Sequence, residues 1–353
     1  MILSHRISFV ALALLVVAPA ACGKAGKTEG ELKADIVSSM HDLMLTELQG
    51  LYQAAVDLQA AAPSAFSPGW DPSQDSGAAI DAMKEAWSRT RLHWERAEGP
   101  VAPMFSDLDA AIDSRYDDML KMLPDGDPDP FDGDGVVGMH AIERILYAPG
   151  PQTVADYERS LPGSLPAAWP TSDAQAAEFK TGLCQRLVTD TQSLLGQWKT
   201  KAIDLSAVFT GLIGLIGSQA EKVGLAAMNQ QQESRYSQTT MADLRSNLAG
   251  TRAVYDLFEP WLATKTYGTT LDMSAMTAFN RLDQSYQAVQ GDAIPDPPAT
   301  WSNPPSPGDA VSPFGMLYAT VTDEADPSRS GSAVDTLNQV ARALGLPEFT
   351  GQN

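Results

Sequence analysis

ELKADIVSSMHDLMLTELQGLYQAAVDLQAA, residues 31–61, sets Leu32, Ile36, Met40, Leu43, Leu48, Leu51, Ala55 and Leu58 at helical spacing, the pattern of one apolar stripe on an α-helix. Pro63, Pro68, Gly69 and Pro72 end the run. A strand would instead need sustained alternation with period two and β-branched enrichment, and no stretch of the chain has it. Carried outward, the same periodicity predicts helices over about 77–98, 108–123, 136–147, 173–203, 205–232, 241–264, 271–290 and 332–344. Gly99-Pro100 is expected to stop the second of these, and Thr240 to Asp243 has the spacing of a capping box. Residues 124–135 (PDGDPDPFDGDG) read as a loop, and seven prolines within 294–313 rule out a regular element there. The expectation is an all-α protein of two packed helical bundles of about four helices each. One half covers 31–150 and the other 173–345, with a Pro-rich connection at 151–172.

The 353 residues carry 24 Lys+Arg against 44 Asp+Glu, a net charge of −20. A hydrophobic content of 44% supplies a core and excludes a wholly disordered chain. The charge repels phosphate, which excludes nucleic-acid binding through a broad cationic face and disfavours anionic lipid. Cations are the natural small partners. Residues 1–22 read as an export signal: His5 and Arg6, an apolar run at 7–17, then Ala18-Pro19-Ala20-Ala21-Cys22. The small residues before Cys22 point to a lipoprotein acylated on that cysteine, with 23–30 as a tether. Ordinary cleavage after Ala20 or Ala21 is the alternative. The expected location is therefore the cell envelope, either lipid-anchored and facing the periplasm or soluble and periplasmic or secreted. No further apolar run is long enough to cross a bilayer, so a lipid anchor is the only membrane contact expected. Beyond Cys22 only Cys184 remains, inside a helical pattern, and it reads as a buried, inert thiol.

The chemistry-bearing residues are mostly acidic. In Gly138-Met139-His140-Ala141-Ile142-Glu143, His140 and Glu143 are three apart and share a helix face. Imidazole and carboxylate together suit a divalent metal, although a structural His–Glu hydrogen bond gives the same spacing. Beyond residue 22 only His41, His93 and His140 remain, which excludes a His-rich zinc centre. Glu95 and Glu98 share a second helix face; Arg91 and Glu95 have the spacing of an i,i+4 ion pair. Trp87 and Trp94 read as core. Residues 107–118 are dense in carboxylates. The Asp-rich loop (Asp125, Asp127, Asp129, Asp132, Asp134) has some character of a calcium loop, but it lacks the EF-hand spacing and its bidentate Glu, and is expected to be solvated.

Taken in order, these blocks carry a resemblance. Trp94-Glu95-x-x-Glu98-Gly-Pro-Val-Ala comes first, then Phe105-Ser-Asp-Leu-Asp and Ile112-Asp113-Ser-Arg-Tyr-Asp-Asp. Gly138-x-His140-x-x-Glu143-Arg-x-Leu-Tyr follows, and then Glu233-Ser-Arg-Tyr-Ser. This series resembles the imelysin family, most closely its EfeO-like branch of periplasmic iron-uptake components, over about residues 31–290. The resemblance implies a helical fold in two bundle-like halves and a metal-binding, non-catalytic role. It further implies an acidic metal cluster of Glu95, Glu98, Asp113 and Glu233, with His140 and Glu143 as the H-x-x-E motif. Iron is the metal it implies. An iron permease and a heme peroxidase are the partners that accompany such proteins. The donor set is mostly oxygen, which suits Fe, Mn, Ca or Mg, and it leaves Zn and Cu open. The Asp-rich loop looks like an insertion relative to the family.

A second function class follows from the same resemblance, since imelysins are also labelled metal-dependent peptidases. A zinc peptidase uses three protein ligands and an open position for water. Here His140 and Glu143 would need a distant third ligand, and the sequence offers no obvious general base and no Gly-x-Ser-x-Gly elbow.

Overall fold

In a computed structural model, which describes residues 26–123, 125–228 and 233–350, Thr28 opens the first helix with a capping box. Its hydroxyl accepts from the Glu31 amide, and the Glu31 carboxylate accepts from the Thr28 amide at 2.7 Å. Helix α1 (Glu29–Ala61) thus starts inside the stretch expected to be a tether. Cys22 and the stretch expected to be an export signal lie outside the described residues. After α1 come α2 (Ala78–Val101), α3 (Ser106–Asp113), α4 (Tyr116–Lys121), α5 (Gly138–Leu146), α6 (Gln152–Arg159) and α7 (Asp173–Glu178). The chain continues through α8 (Gln185–Trp198), α9 (Leu205–Ala226), α10 (Thr240–Leu262), α11 (Gly268–Ala288), α12 (Pro307–Ala310), α13 (Pro313–Ala325) and α14 (Ala333–Leu344). No strand occurs among the described residues, and the fold is all-α.

Helix α2 is the hub. It packs against α1 and α5 from its own half of the chain, and against α9 and α10 from the other half. Trp87 and Trp94 are fully buried on it, and the Trp87 indole donates to the Met139 carbonyl at 2.9 Å, fixing α5 against α2. Burying a large apolar side chain contributes about 1.5–3 kcal/mol relative to exposure. Near the crossing of α2 and α9 the backbones approach so closely that a Cβ on Gly211 would overlap the Gly99 carbonyl. The buried apolar core runs without a break from Leu32 to Leu344, through both halves of the sequence.

Several boundaries differ from the sequence expectation. Gly99-Pro100 does not stop α2, which runs on to Val101 with Pro100 inside it. A helical proline forfeits one amide hydrogen bond; at Pro100 the disturbance is confined to the last turn, because α2 closes at Val101. The single helix expected over 108–123 is broken at Ser114 and Arg115, both in extended conformation. The break lets Asp113 face α2 while Asp117 faces Arg235. Residues 173–203 form α7, a π-helical turn (Phe179–Cys184) and α8, not one continuous α-helix. At that turn the Asp-rich loop docks, with the Leu183 amide donating to the Phe131 carbonyl at 3.2 Å. The Pro-rich connection contains α6, the proline-dense stretch 294–313 holds the one-turn helix α12 with Pro307 at its first position, and α13 occupies a stretch that the periodicity left unassigned. Thr240 and Asp243 do not form a capping box, since α10 has no side-chain cap.

Candidate metal centre

The candidate residues reach one another because three short stretches of chain meet at α2. Arg91, Glu95 and Glu98 lie on successive turns of α2. Asp113 closes α3. Gly138 opens α5 with φ +86°, and its Cα sits so close to the Ile112 carbonyl that an added Cβ would be 2.6 Å from that oxygen. Only glycine accepts both the positive φ and the approach, and the contact carries His140 to Asp113. The stretch 233–239, just before α10, supplies Glu233.

Two groups of side chains are close enough to share an ion. The ligand atoms of Glu95, Glu98 and Asp113 lie within 4.8 Å of one another, as do those of Asp113, His140 and Glu233. Asp113 belongs to both. Glu143 stands apart from both groups. Its Oε2 pairs with His140 Nδ1 at 3.0 Å, and its Oε1 accepts from the Tyr236 and Ser237 amides and the Ser237 hydroxyl at 2.8–2.9 Å. Glu143 therefore orients the imidazole, leaving Nε2 toward Asp113 Oδ1 at 3.4 Å, and ties the 233–239 stretch to α5. The Asp-rich loop forms no such group among the described residues. Asp127 there is buried, and its carboxylate accepts from the amides of Asp129 and Val136.

Buried cations answer the carboxylates. Arg91, 2% exposed, pairs with Glu95 and Asp113 and lies 3.6 Å from both Glu233 Oε1 and Asp243 Oδ1. Lys222 on α9 pairs with Glu233 at 2.6 Å. Asn247 on α10 donates to Glu98 Oε2 at 3.0 Å, and Ser234 donates to Asp243 Oδ2 at 2.6 Å. Sequence reasoning assigned Arg91 only an ion pair and missed Lys222, Asp243 and Asn247. One signal was present, because Lys222 is the only cation in the mostly apolar stretch 205–226.

The electrostatics follow from burial and these partners. Desolvation raises the carboxyls of Glu95, Glu98 and Asp243 above their ordinary range, in spite of Arg91 and Lys222. Burial pushes Glu233 the same way, but Lys222, Arg91 and His140 together outweigh it and hold the group low. Asp113 is likewise held low against its burial, by Arg91 and His140. Burial and Arg91 press His140 down, yet its hydrogen bonds to Asp113 and Glu143 lift it to about 9. Asp109, one turn before Asp113, is pushed up to about 7 by burial and by the charges of Asp113 and Glu98.

A cleft of about 470 Å³ leads to the cluster, lined by Glu98, Asp109, Asp113, Glu221, Lys222 and Glu233 among others. Glu95 Oε2 is buried and has no hydrogen-bond partner among the described residues. An unpaired buried carboxylate oxygen is costly unless something positive completes it. Oxygen donors with a single imidazole fit a hard or borderline cation.

The chain matches the family model described as Imelysin (peptidase M75) over residues 37–344. The iron uptake system component EfeO of Escherichia coli (strain K12) is 28% identical over 183 residues, which cover 52% of this chain and 38% of that protein. EfeO of Shigella flexneri matches to the same extent. The chain thus spans about two fifths of the length of the curated relatives it matches. An imelysin-like protein from Psychrobacter arcticum 273-4 shares the fold, with a TM-score of 0.56 at 14% identity over 91% of this chain and 97% of that one. The family pattern extends from α1 to α14, and the chain belongs to the imelysin family.

Proposed function

We propose that this protein binds a multivalent metal ion, iron foremost, as the envelope-located binding component of an iron-uptake system, and that the metal is cargo. One observation carries the reading: Glu95, Glu98, Asp113, His140 and Glu233 converge from separate parts of the chain at the end of an acidic cleft. The similarity to EfeO, named as an iron uptake system component, supports iron as the metal. On this reading the carboxylates and His140 Nε2 supply the bonds, while Glu143 and Asn247 hold His140 and Glu98 in place. An iron permease and a heme peroxidase are the partners proposed to receive and supply the cargo. The family's peptidase label is the competing reading.

Titration calorimetry with Mn²⁺ and with Fe²⁺ under anaerobic conditions tests the reading. The full chain is expected to bind both metals. Glu98→Gln and Glu233→Gln are each expected to weaken binding about tenfold or more, the scale of one lost contact of about 1.4 kcal/mol. Asp129→Asn combined with Asp132→Asn should leave affinity nearly unchanged, because neither residue belongs to a group able to share an ion among the described residues. Peptide substrates supplied with Zn²⁺ should stay intact. Metal-dependent hydrolysis lost in His140→Ala would favour the peptidase.

A further inference from the structure

The carboxylates offered to a metal already hold a cation. Arg91 Nη1 pairs with Asp113 Oδ1 and Nη2 with Glu95 Oε1, and Nη2 also lies 3.6 Å from Glu233 Oε1. These three residues recur in the two groups able to share an ion. A metal bonded to such oxygens at about 2.0–2.6 Å needs the lone pairs that the guanidinium occupies. It also carries the same sign of charge, so the two compete for the site. The guanidinium has somewhere else to go. Arg91 Nε has no hydrogen-bond partner among the described residues and lies 3.6 Å from Asp243 Oδ1. Asp243 belongs to neither ion-sharing group and is anchored by Ser234.

We propose that Arg91 is a resident counter-cation of the site. It neutralises the ligand carboxylates in the metal-free protein and transfers to Asp243 when metal enters, so that capture is an exchange of cations. The proposal rests on the metal-binding reading above and adds two properties to it. The empty site keeps its buried carboxylates paired, which spares the fold an unpaired buried charge. Affinity is set by the difference between two cations, so a monovalent ion cannot displace a guanidinium held by several carboxylates, whereas a multivalent ion can. A cargo held in this way is released by return of the arginine.

The test is titration calorimetry with Mn²⁺ on the full chain, together with melting temperatures with and without Mn²⁺. The variants are Arg91→Gln, Arg91→Lys and, as control, Arg89→Gln. Arg89 lies on the same helix, partly exposed, and pairs with Asp57 and Glu85. Arg91→Gln is expected to melt lower without metal, to gain more stability from Mn²⁺ than the wild type, and to bind Mn²⁺ at least tenfold more tightly. Arg91→Lys keeps the charge but cannot bridge as many carboxylates, so it should bind several-fold more tightly. Arg89→Gln should match the wild type. If Arg91→Gln folds only when Mn²⁺ is present, that rescue is itself the expected exchange, and Arg91→Lys carries the affinity measurement. Binding that is equal to or weaker than wild type in the folded Arg91 variants would make the arginine a structural support and overturn the proposal. If neither wild type nor Arg91→Gln binds Mn²⁺, the metal-binding reading falls as well.

Discussion

His140 and Asp109 make the metal-free protein sensitive to pH in the same direction. The imidazole titrates at about 9 in the folded chain against an ordinary value of 6.5. Its stabilising contribution is therefore complete below about 6.5 and is lost as pH rises through 9. The Asp109 carboxyl titrates at about 7 against an ordinary 3.8. Its charge therefore opposes folding fully above 7 and not at all below 3.8. Asp113 and Glu233 have the opposite sign, but they act only as pH falls below their ordinary values of 3.8 and 4.5. The raised carboxyls of Glu95, Glu98 and Asp243 act with the same sign as Asp109, so the melting temperature in metal-free buffer is expected to fall steadily from pH 5.5 to pH 9.5, and Asp109→Asn should shrink the part below pH 7. A flat or rising profile would contradict these environments. The individual residues were unevenly legible in the sequence. Glu95, Glu98, Asp113 and Glu233 could be marked because motifs name residues, and the structure brings them together. Arg91 and Asp243 could not, because an i,i+4 pair and a helix-start aspartate have ordinary local explanations. Only the fold reveals that both are buried against the same carboxylates.

At the scale of elements, the break between α3 and α4 and the start of α5 build the site. Asp113 faces Arg91 because Ser114 and Arg115 are extended, and His140 meets Asp113 because Gly138 rests on Ile112. Gly138→Ala is therefore expected to cost about 1–3 kcal/mol from the positive φ alone. It should also weaken Mn²⁺ binding, since relieving the overlap moves α5 away from α3. Urea denaturation and calorimetry on the same sample check both effects, and wild-type values in both would refute this role. Helices with a regular apolar stripe, such as α1, were legible because periodicity is local. The break at Ser114 was not, because its cause is tertiary: Asp113 and Asp117 answer to different arginines, Arg91 and Arg235. A signal did exist for α13, where Ser312 caps with Pro313 at the first position, the usual helix-start pairing.

Across the whole molecule, α2 ties the two halves of the sequence into one core, and the site lies where both halves meet it. A net charge of −20 and a cleft lined by carboxylates draw cations inward, an effect that weakens as salt rises. The fold class was legible from helical periodicity. The sharing of one core was not, because proline density marks where a chain bends and not whether its halves separate. The proposed function requires a metal among Glu95, Glu98, Asp113, His140 and Glu233. Anomalous diffraction from a crystal of the full chain soaked in Mn²⁺ tests it most directly. An anomalous peak bonded to Asp113 and to residues of one or both groups is expected, with the Arg91 guanidinium on Asp243. A peak confined to the Asp-rich loop at 125–134, or none in the cleft at a saturating soak, would contradict it.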